Sequence, residues 1–275
     1  MKRLEIIVEE PAPSDDAILL FPRPFDHWGQ IFLSVETNAA GDPAELTAVN
    51  SEQRAYAAGA ANGAPTTITY HIAERDEPVP PSVWRVQQNP LTQADGSLMV
   101  LAREITAHAD SVNAKLRALM EYAAGVFSYE LIGDLFYEGH ENIPALCGTT
   151  KGSCIDINAF LLTAALSLGL RGQYIAGYWF PPQKMKTDDM HCWLAFETEG
   201  ELIFWDLAHH LRWDIKKLAP GFNPAGGHRI AMSRGCEIQF NTENGQVQIG
   251  HFSRPVWVLP GARVVEPKIH VGVSE

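Results

Sequence analysis

Along the first 85 residues the apolar positions come in short runs, LEIIV, AILLF, QIFLSVE and TTITYHIA, separated by breaks bearing Pro, Gly and Asn. Apolar runs of that length bounded by turn formers predict strands. Residues 1–85 are therefore expected to form an antiparallel β-rich N-terminal domain. The segment EPVPPSVWRVQQNPL, residues 77–91, holds four prolines and no period. It reads as a linker or crossover marking a domain boundary.

Beyond it the period changes. In DGSLMVLAREITAHA and SVNAKLRALMEYAAGVFSYE the apolar residues recur every three or four positions, as at Val112, Leu116, Leu119 and Ala123, which predicts helices. CIDINAFLLTAALSLGL, residues 154–170, is apolar almost all round. That pattern predicts a helix buried inside a domain, with Gly169 as its stop. Strand-like runs follow at QYIAGYWF (173–180), HCWLAF (191–196), LIFWDLA (202–208), RIAMS, CEIQF, QVQIGHF and PVWVLP. Helices followed by strands predict an α+β domain over 86–275, C-terminal strands included.

Composition narrows the function classes more than the fold. A chain of 275 residues with 46% apolar and 20% charged residues is expected to be an ordinary globular protein. Its formal net charge of −12 argues against nucleic-acid or anionic-membrane partners, which need basic surface. The opening MKRLEIIVEEPAPSDD lacks the apolar core of a secretory signal, and no stretch approaches a membrane span. Cys147, Cys154, Cys192 and Cys236 lack CxxC spacing. Neither a disulfide framework nor a zinc knuckle is suggested, and a cytoplasmic location is the expectation.

The candidate chemistry begins at Cys154. Ser153 and Asp156 have the spacing of a capping box, which starts the buried helix at Cys154 and puts its thiol in the first turn. A helix N-terminus favours the thiolate by only ~0.3–1 kcal/mol, less than ~1 pKa unit. Against a reference thiol pKa of ~8.5, that leaves much of the thiol protonated at neutral pH. A cationic partner is needed. For Cys147, Cys192 and Cys236 a packing role is the simpler reading.

The runs 191–196 and 202–208 are joined by Thr198-Glu199-Gly200-Glu201, a hairpin signal. An even-numbered loop would set Trp193 opposite Asp206 and His191 opposite Ala208, so that His191 and Asp206 are diagonal neighbours on one face. A three-residue loop would reverse that parity. In a Cys-His-Asp site the imidazole takes the thiol proton, the thiolate attacks a carbonyl and the carboxylate orients the imidazolium. His209, His210, His140, His108, His228 and His251 compete for the role of base. His191 is preferred because it begins an alternating strand after a polar turn. A zinc site is not expected, because His191 and Cys192 are adjacent on a strand and point to opposite faces.

Taken together, KGSCIDINAFLLTAALSLGLRGQYIAGYW, HCWLAF and LIFWDLA resemble bacterial-type transglutaminase-like proteins of the papain-like cysteine-enzyme superfamily. Gly152, Cys154 and Asp156 match the Gly-x-Cys-x-Asp motif of that family. Gly177 and Tyr178 match its Gly-Tyr, His191 and Trp193 its His-x-Trp, and Asp206 its aspartate. FSYE at 127–130 and GGHRIAMSRG at 226–235 extend the resemblance more faintly. Leu207 stands where the family commonly has Pro, and the Ala-His-His that follows is a departure.

The resemblance implies a papain-like transglutaminase core with a central buried helix on an antiparallel sheet, preceded by a β-rich accessory domain. It implies catalysis by Cys154, His191 and Asp206, no cofactor, an oxyanion site including the backbone N–H of Cys154, and Tyr178 and Trp193 as cleft-lining candidates. The expected activity is acyl transfer from a peptide or amide substrate through a Cys thioester. Hydrolysis as a peptidase or amidase is preferred over protein-glutamine transfer. A non-catalytic interaction module of the same fold is the alternative from another class.

Overall fold

The structure is a computed structural model that describes all residues except 28, 62–64, 75–84, 87–88, 132, 222–223 and 225. Most of the linker expected over 77–91 lies outside the described residues; its end forms a single 3₁₀ turn, Pro90–Thr92.

Six strands come first: β1 (Lys2–Val8), β2 (Ile18–Arg23), β3 (Ile31–Thr37), β4 (Ala40–Thr47), β5 (Arg54–Gly59) and β6 (Thr66–Ala73). Next are α1 (Gly96–Ile105), α2 (Val112–Val126), β7 (Phe127–Tyr129), β8 (Thr150–Gly152) and α3 (Cys154–Ser167). The chain continues through β9 (Gly172–Phe180), β10 (Lys186–Thr187), β11 (His191–Thr198), β12 (Glu201–Trp205) and α4 (Leu207–Arg212). It ends with β13 (His228–Arg234), β14 (Ile238–Thr242), β15 (Gly245–Ile249), β16 (Val256–Leu259), β17 (Arg263–Val265) and β18 (Ile269–Ser274).

These elements group into two compact units, one of Met1–Pro80, Ala176–His191 and Gly227–Glu275, the other of Pro81–Ile175 and Cys192–Gly226. Gly227–Glu275, with the C-terminal strands, falls in the same unit as the N-terminal strands. β18 pairs antiparallel with β1, Val8 facing Ile269, and β16 pairs with β2, Leu20 facing Val256. Each has an alternating or continuous apolar face that the N-terminal strands can cover, and sequence separation does not weaken such pairing once the chain has folded.

Within the first unit, one five-stranded sheet runs β10-β18-β1-β6-β3 and another β17-β16-β2-β5-β4. Leu4, Ile6 and Val8 of β1, Ile68, Tyr70 and Ile72 of β6, and Leu19 and Phe21 of β2 share one core. The intervening Leu20 packs on the other side with Phe240, Val247 and Phe252. This two-sided burial is why AILLF reads as a continuous apolar run. Buried Gln30 clamps β13, donating to the carbonyl of Ala231 at 2.9 Å and accepting its N–H at 3.0 Å. Gly177 lies against the same strand, where a Cβ would collide with the carbonyl of Ile230.

The second unit is built around α3, of which Cys154 and every residue from Asp156 to Ala165 are buried. Burying Ile157, Phe160, Leu161 and Leu162 stabilises the fold by roughly 1.5–3 kcal/mol each. Gly169 takes φ +76° just past the helix end, as its placement predicts. β11 and β12 pair antiparallel, Leu194 facing Trp205 and Thr198 facing Glu201, in the expected register. Their two-residue turn has positive φ at both Glu199 and Gly200, the twist that suits a tight hairpin. One expected element is corrected: the strand predicted over 202–208 stops at Trp205, because Asp206 caps a helix beginning at Leu207.

Candidate active site

The nucleophile candidate is held by its neighbours. Ser153 is extended at the N-cap of α3, and its hydroxyl accepts the N–H of Ile155 at 3.2 Å. The fully buried Asp156 carboxylate accepts the N–H and the hydroxyl of Ser153, both at 2.9 Å, and the N–H of Phe136 at 3.0 Å. The capping box read from sequence is therefore present, and it extends to a third donor from the preceding loop. Gly152 is required as well, since a Cβ there would stand 2.8 Å from the Cβ of Asp156 and 3.1 Å from the ring of Phe127. These contacts give a physical reason for Gly-x-Cys-x-Asp: glycine permits the approach, and the aspartate fixes the turn that carries Cys154. Cys154 itself is 6% exposed.

Beside this turn lies β7, parallel to β8 with Tyr129 opposite Gly152, and Glu130 N–H donates to the Gly152 carbonyl at 3.0 Å. Burial, then the negative charge of Cys154, raises the Tyr129 phenol to about 12; Cys192 and Asp206 push the same way, against the Arg212 guanidinium. That guanidinium stands 5.7 Å over the Tyr129 ring. The hydroxyl is thus protonated at neutral pH and available to donate. FSYE resembles the family's segment before the nucleophile loop, but nothing in the sequence singles out Tyr129; its place opposite Gly152 becomes visible only with the parallel pairing.

Asp206 is fully buried and serves as N-cap of α4. One carboxylate oxygen accepts the N–H of His209 at 3.3 Å, and the other lies 2.9 Å from Nδ1 of His209. His209 is 1% exposed, with the Trp213 ring 4.5 Å away, centroid to centroid. The Asp-x-x-His spacing was the available signal for this pair, hidden because LIFWDLA reads as continuous strand.

His191 opens β11 and is buried, its ring 6.5 Å from that of Trp179. Cys192, the next residue, is wholly buried. Asn158 of α3 donates through Nδ2 to the Cys192 carbonyl at 3.0 Å and to its Sγ at 3.3 Å. Burial, followed by the influence of the neighbouring Cys154, pushes the Cys192 thiol well above the ordinary range.

Both residues expected to line the cleft are buried. Tyr178 is fully buried in the core of the first unit, its hydroxyl donating to the Ser253 carbonyl at 2.9 Å. Trp193 is 1% exposed.

Residues 100–206, from α1 to the cap of α4, match the model of the transglutaminase-like superfamily. That stretch is a transglutaminase-like core, as the motifs implied, and the α+β class follows with it. A candidate cysteine protease from Cytophaga hutchinsonii is similar over 99% of this chain and 96% of its own, at 13% identity and TM-score 0.50. The periplasmic domain of TgpA from Pseudomonas aeruginosa, solved with ethylmercury, is similar over 77% and 91%, at 10% identity and TM-score 0.39. No curated protein matches. The core is of the kind associated with thiol-dependent acyl transfer, and among the described residues no helix is long and apolar enough to cross a membrane.

Proposed function

We propose that the chain is a thiol-dependent acyl-transfer enzyme in which Cys154 attacks a peptide or amide carbonyl. His191 takes the thiol proton and later delivers it to the leaving amine, and Asp206 orients the imidazole. The observation that carries the reading is the doubly anchored turn at Ser153 and Asp156, which presents Cys154 at the N-terminus of a buried helix within a transglutaminase-like core. The Cys154 N–H and the protonated Tyr129 hydroxyl are the proposed donors to the developing oxyanion. Water completes the turnover in the preferred reading, and an amine in the transferase alternative. A reducing compartment suits the four thiols, none of which is in a disulfide.

Limiting iodoacetamide, applied to the native protein across a pH series and followed by mass mapping, tests the reading. Cys154 is expected to label first below neutral pH, and His191→Ala to abolish that preference. Labelling of Cys154 at the rate of the exposed Cys147 thiol would defeat it. A glutamine peptide, with and without a primary amine, then separates ammonia release from adduct formation.

The 2.9 Å contact between Asp206 Oδ2 and His209 Nδ1 favours a second reading, in which His209 rather than His191 is the principal partner of the carboxylate. His209→Ala then lowers kcat as far as His191→Ala does.

A further inference from the structure

Two of the four cysteines are neighbours at the start of α3. Cys154 opens α3 and Cys192 follows the first residue of β11, 38 positions apart in the sequence; Asn158, one helix turn after Cys154, reaches the Cys192 sulfur, and the Cys154 side chain acts on the Cys192 thiol. Their surroundings are unequal: Cys154 keeps 6% of its surface, whereas Cys192 keeps none. The Cys192 sulfur is held in place by the Asn158 amide at 3.3 Å, from the helix turn that follows Cys154. An oxidant arriving from solvent therefore meets Cys154 first, with a second sulfur fixed behind it. This arrangement matches the chemistry of a peroxide-reacting thiol beside a resolving cysteine.

We infer that Cys154 and Cys192 form a reversible disulfide on exposure to a peroxide, a covalent modification that occupies the candidate nucleophile and protects it from irreversible oxidation. The Cys154 thiolate attacks one oxygen of hydrogen peroxide. The O–O bond breaks, leaving Cys154 as a sulfenic acid, and the departing hydroxide is protonated to water. The Cys192 sulfur then attacks the Cys154 sulfur as its proton leaves. The S–O bond breaks, a second water departs and the disulfide remains. Two electrons have passed from the thiols to one peroxide, and a dithiol reductant returns them. In a reducing compartment such a bond is transient and responds to oxidant. The inference shares with the proposed function only the requirement that Cys154 be the more reactive thiol.

Treatment of the reduced full chain with one equivalent of hydrogen peroxide, alkylation and non-reducing peptide mapping is the test. The expected product joins the Cys154 and Cys192 peptides, lighter by two hydrogen atoms, and dithiothreitol restores all alkylatable Cys154. In Cys192→Ser, Cys154 is expected to pass to sulfinic acid, which dithiothreitol does not reverse. Sulfinic acid on Cys154 of the unaltered chain without the linked peptide would overturn the inference, as would linkage to Cys147 or Cys236 instead. The mapping of the unaltered chain decides the matter even where the serine variant fails to fold. Because the readout is mass rather than turnover, a disulfide can form in a protein that cleaves no amide, and the two readings fail separately.

Discussion

Replacing Asp156 with alanine removes the one acceptor that three donors share. The Ser153 N–H, the Ser153 hydroxyl and the Phe136 N–H all end on this carboxylate, which has no exposed surface. A hydroxyl can rotate toward another acceptor, but the two backbone N–H groups are fixed by the turn and by the loop. Each buried donor left unpaired costs about 1–3 kcal/mol. The substitution should therefore destabilise by ~2–6 kcal/mol, with ~4 kcal/mol as the central value. Asp156→Asn keeps one acceptor oxygen but turns an amide N–H toward a donor, so it should cost about half as much. Urea unfolding followed by tryptophan fluorescence measures both through the midpoint at unchanged slope. Limiting alkylation of Cys154 should slow in the asparagine variant while Cys147 is unaffected, because the loosened turn no longer holds the thiol at the helix end. A loss below ~1 kcal/mol for the alanine variant would refute the reasoning, since it would mean that the donors find water or other acceptors.

Gly177→Ala should cost ~3 kcal/mol or prevent folding, as the new Cβ meets the Ile230 carbonyl on a paired strand; thermal unfolding measures this. Tyr129→Phe should leave stability nearly unchanged and lower kcat about 10²-fold if its hydroxyl serves the oxyanion, measured with whichever amide substrate the peptide screen yields. Burial lowers His251 from its ordinary 6.5 to about 4. The unfolded chain therefore binds one more proton between those values, so stability is fully present above pH 6.5 and is lost as pH falls toward 4. The slope should approach ~1.4 kcal/mol per pH unit, and His251→Gln should flatten that part of a denaturation series.

What the sequence makes legible is what neighbouring residues decide. Ser153, Asp156 and Gly169 bound α3 because caps and stops act within one turn, and Glu199-Gly200 sets the hairpin register because only two residues intervene. β4 escapes the pattern: AGDPAELT is mostly exposed, and its pairing with β5 rests on backbone hydrogen bonds rather than an apolar face. The pairing of β18 with β1 spans nearly the whole chain, and no local signal marks it. The nearness of Cys154 and Cys192 was hidden for a different reason. The alternation along β11 cannot say which of its side chains lie against α3, where Asn158 reaches Cys192.

The end of β12 carries a further consequence for the candidate triad. The observed register, continued one pair beyond Leu194 and Trp205, would set Trp193 against Asp206. Asp206 leaves the ladder there with ψ 67° and caps α4 instead. Its carboxylate is therefore oriented by a helix start, through the His209 N–H, and not by a strand's pleat. Proline at 207, common in the family, fits the first position of a helix and lacks a donor that the turn does not use. Leu207 supplies the same start through burial, being wholly inaccessible. Leu207→Pro should accordingly be tolerated with a change in stability within ~1 kcal/mol, whereas Asp206→Ala should lose both the cap and the partner of His209 Nδ1 and cost ~2–4 kcal/mol. Equal losses from the two substitutions, compared by urea unfolding, would show that the leucine is not standing in for the proline.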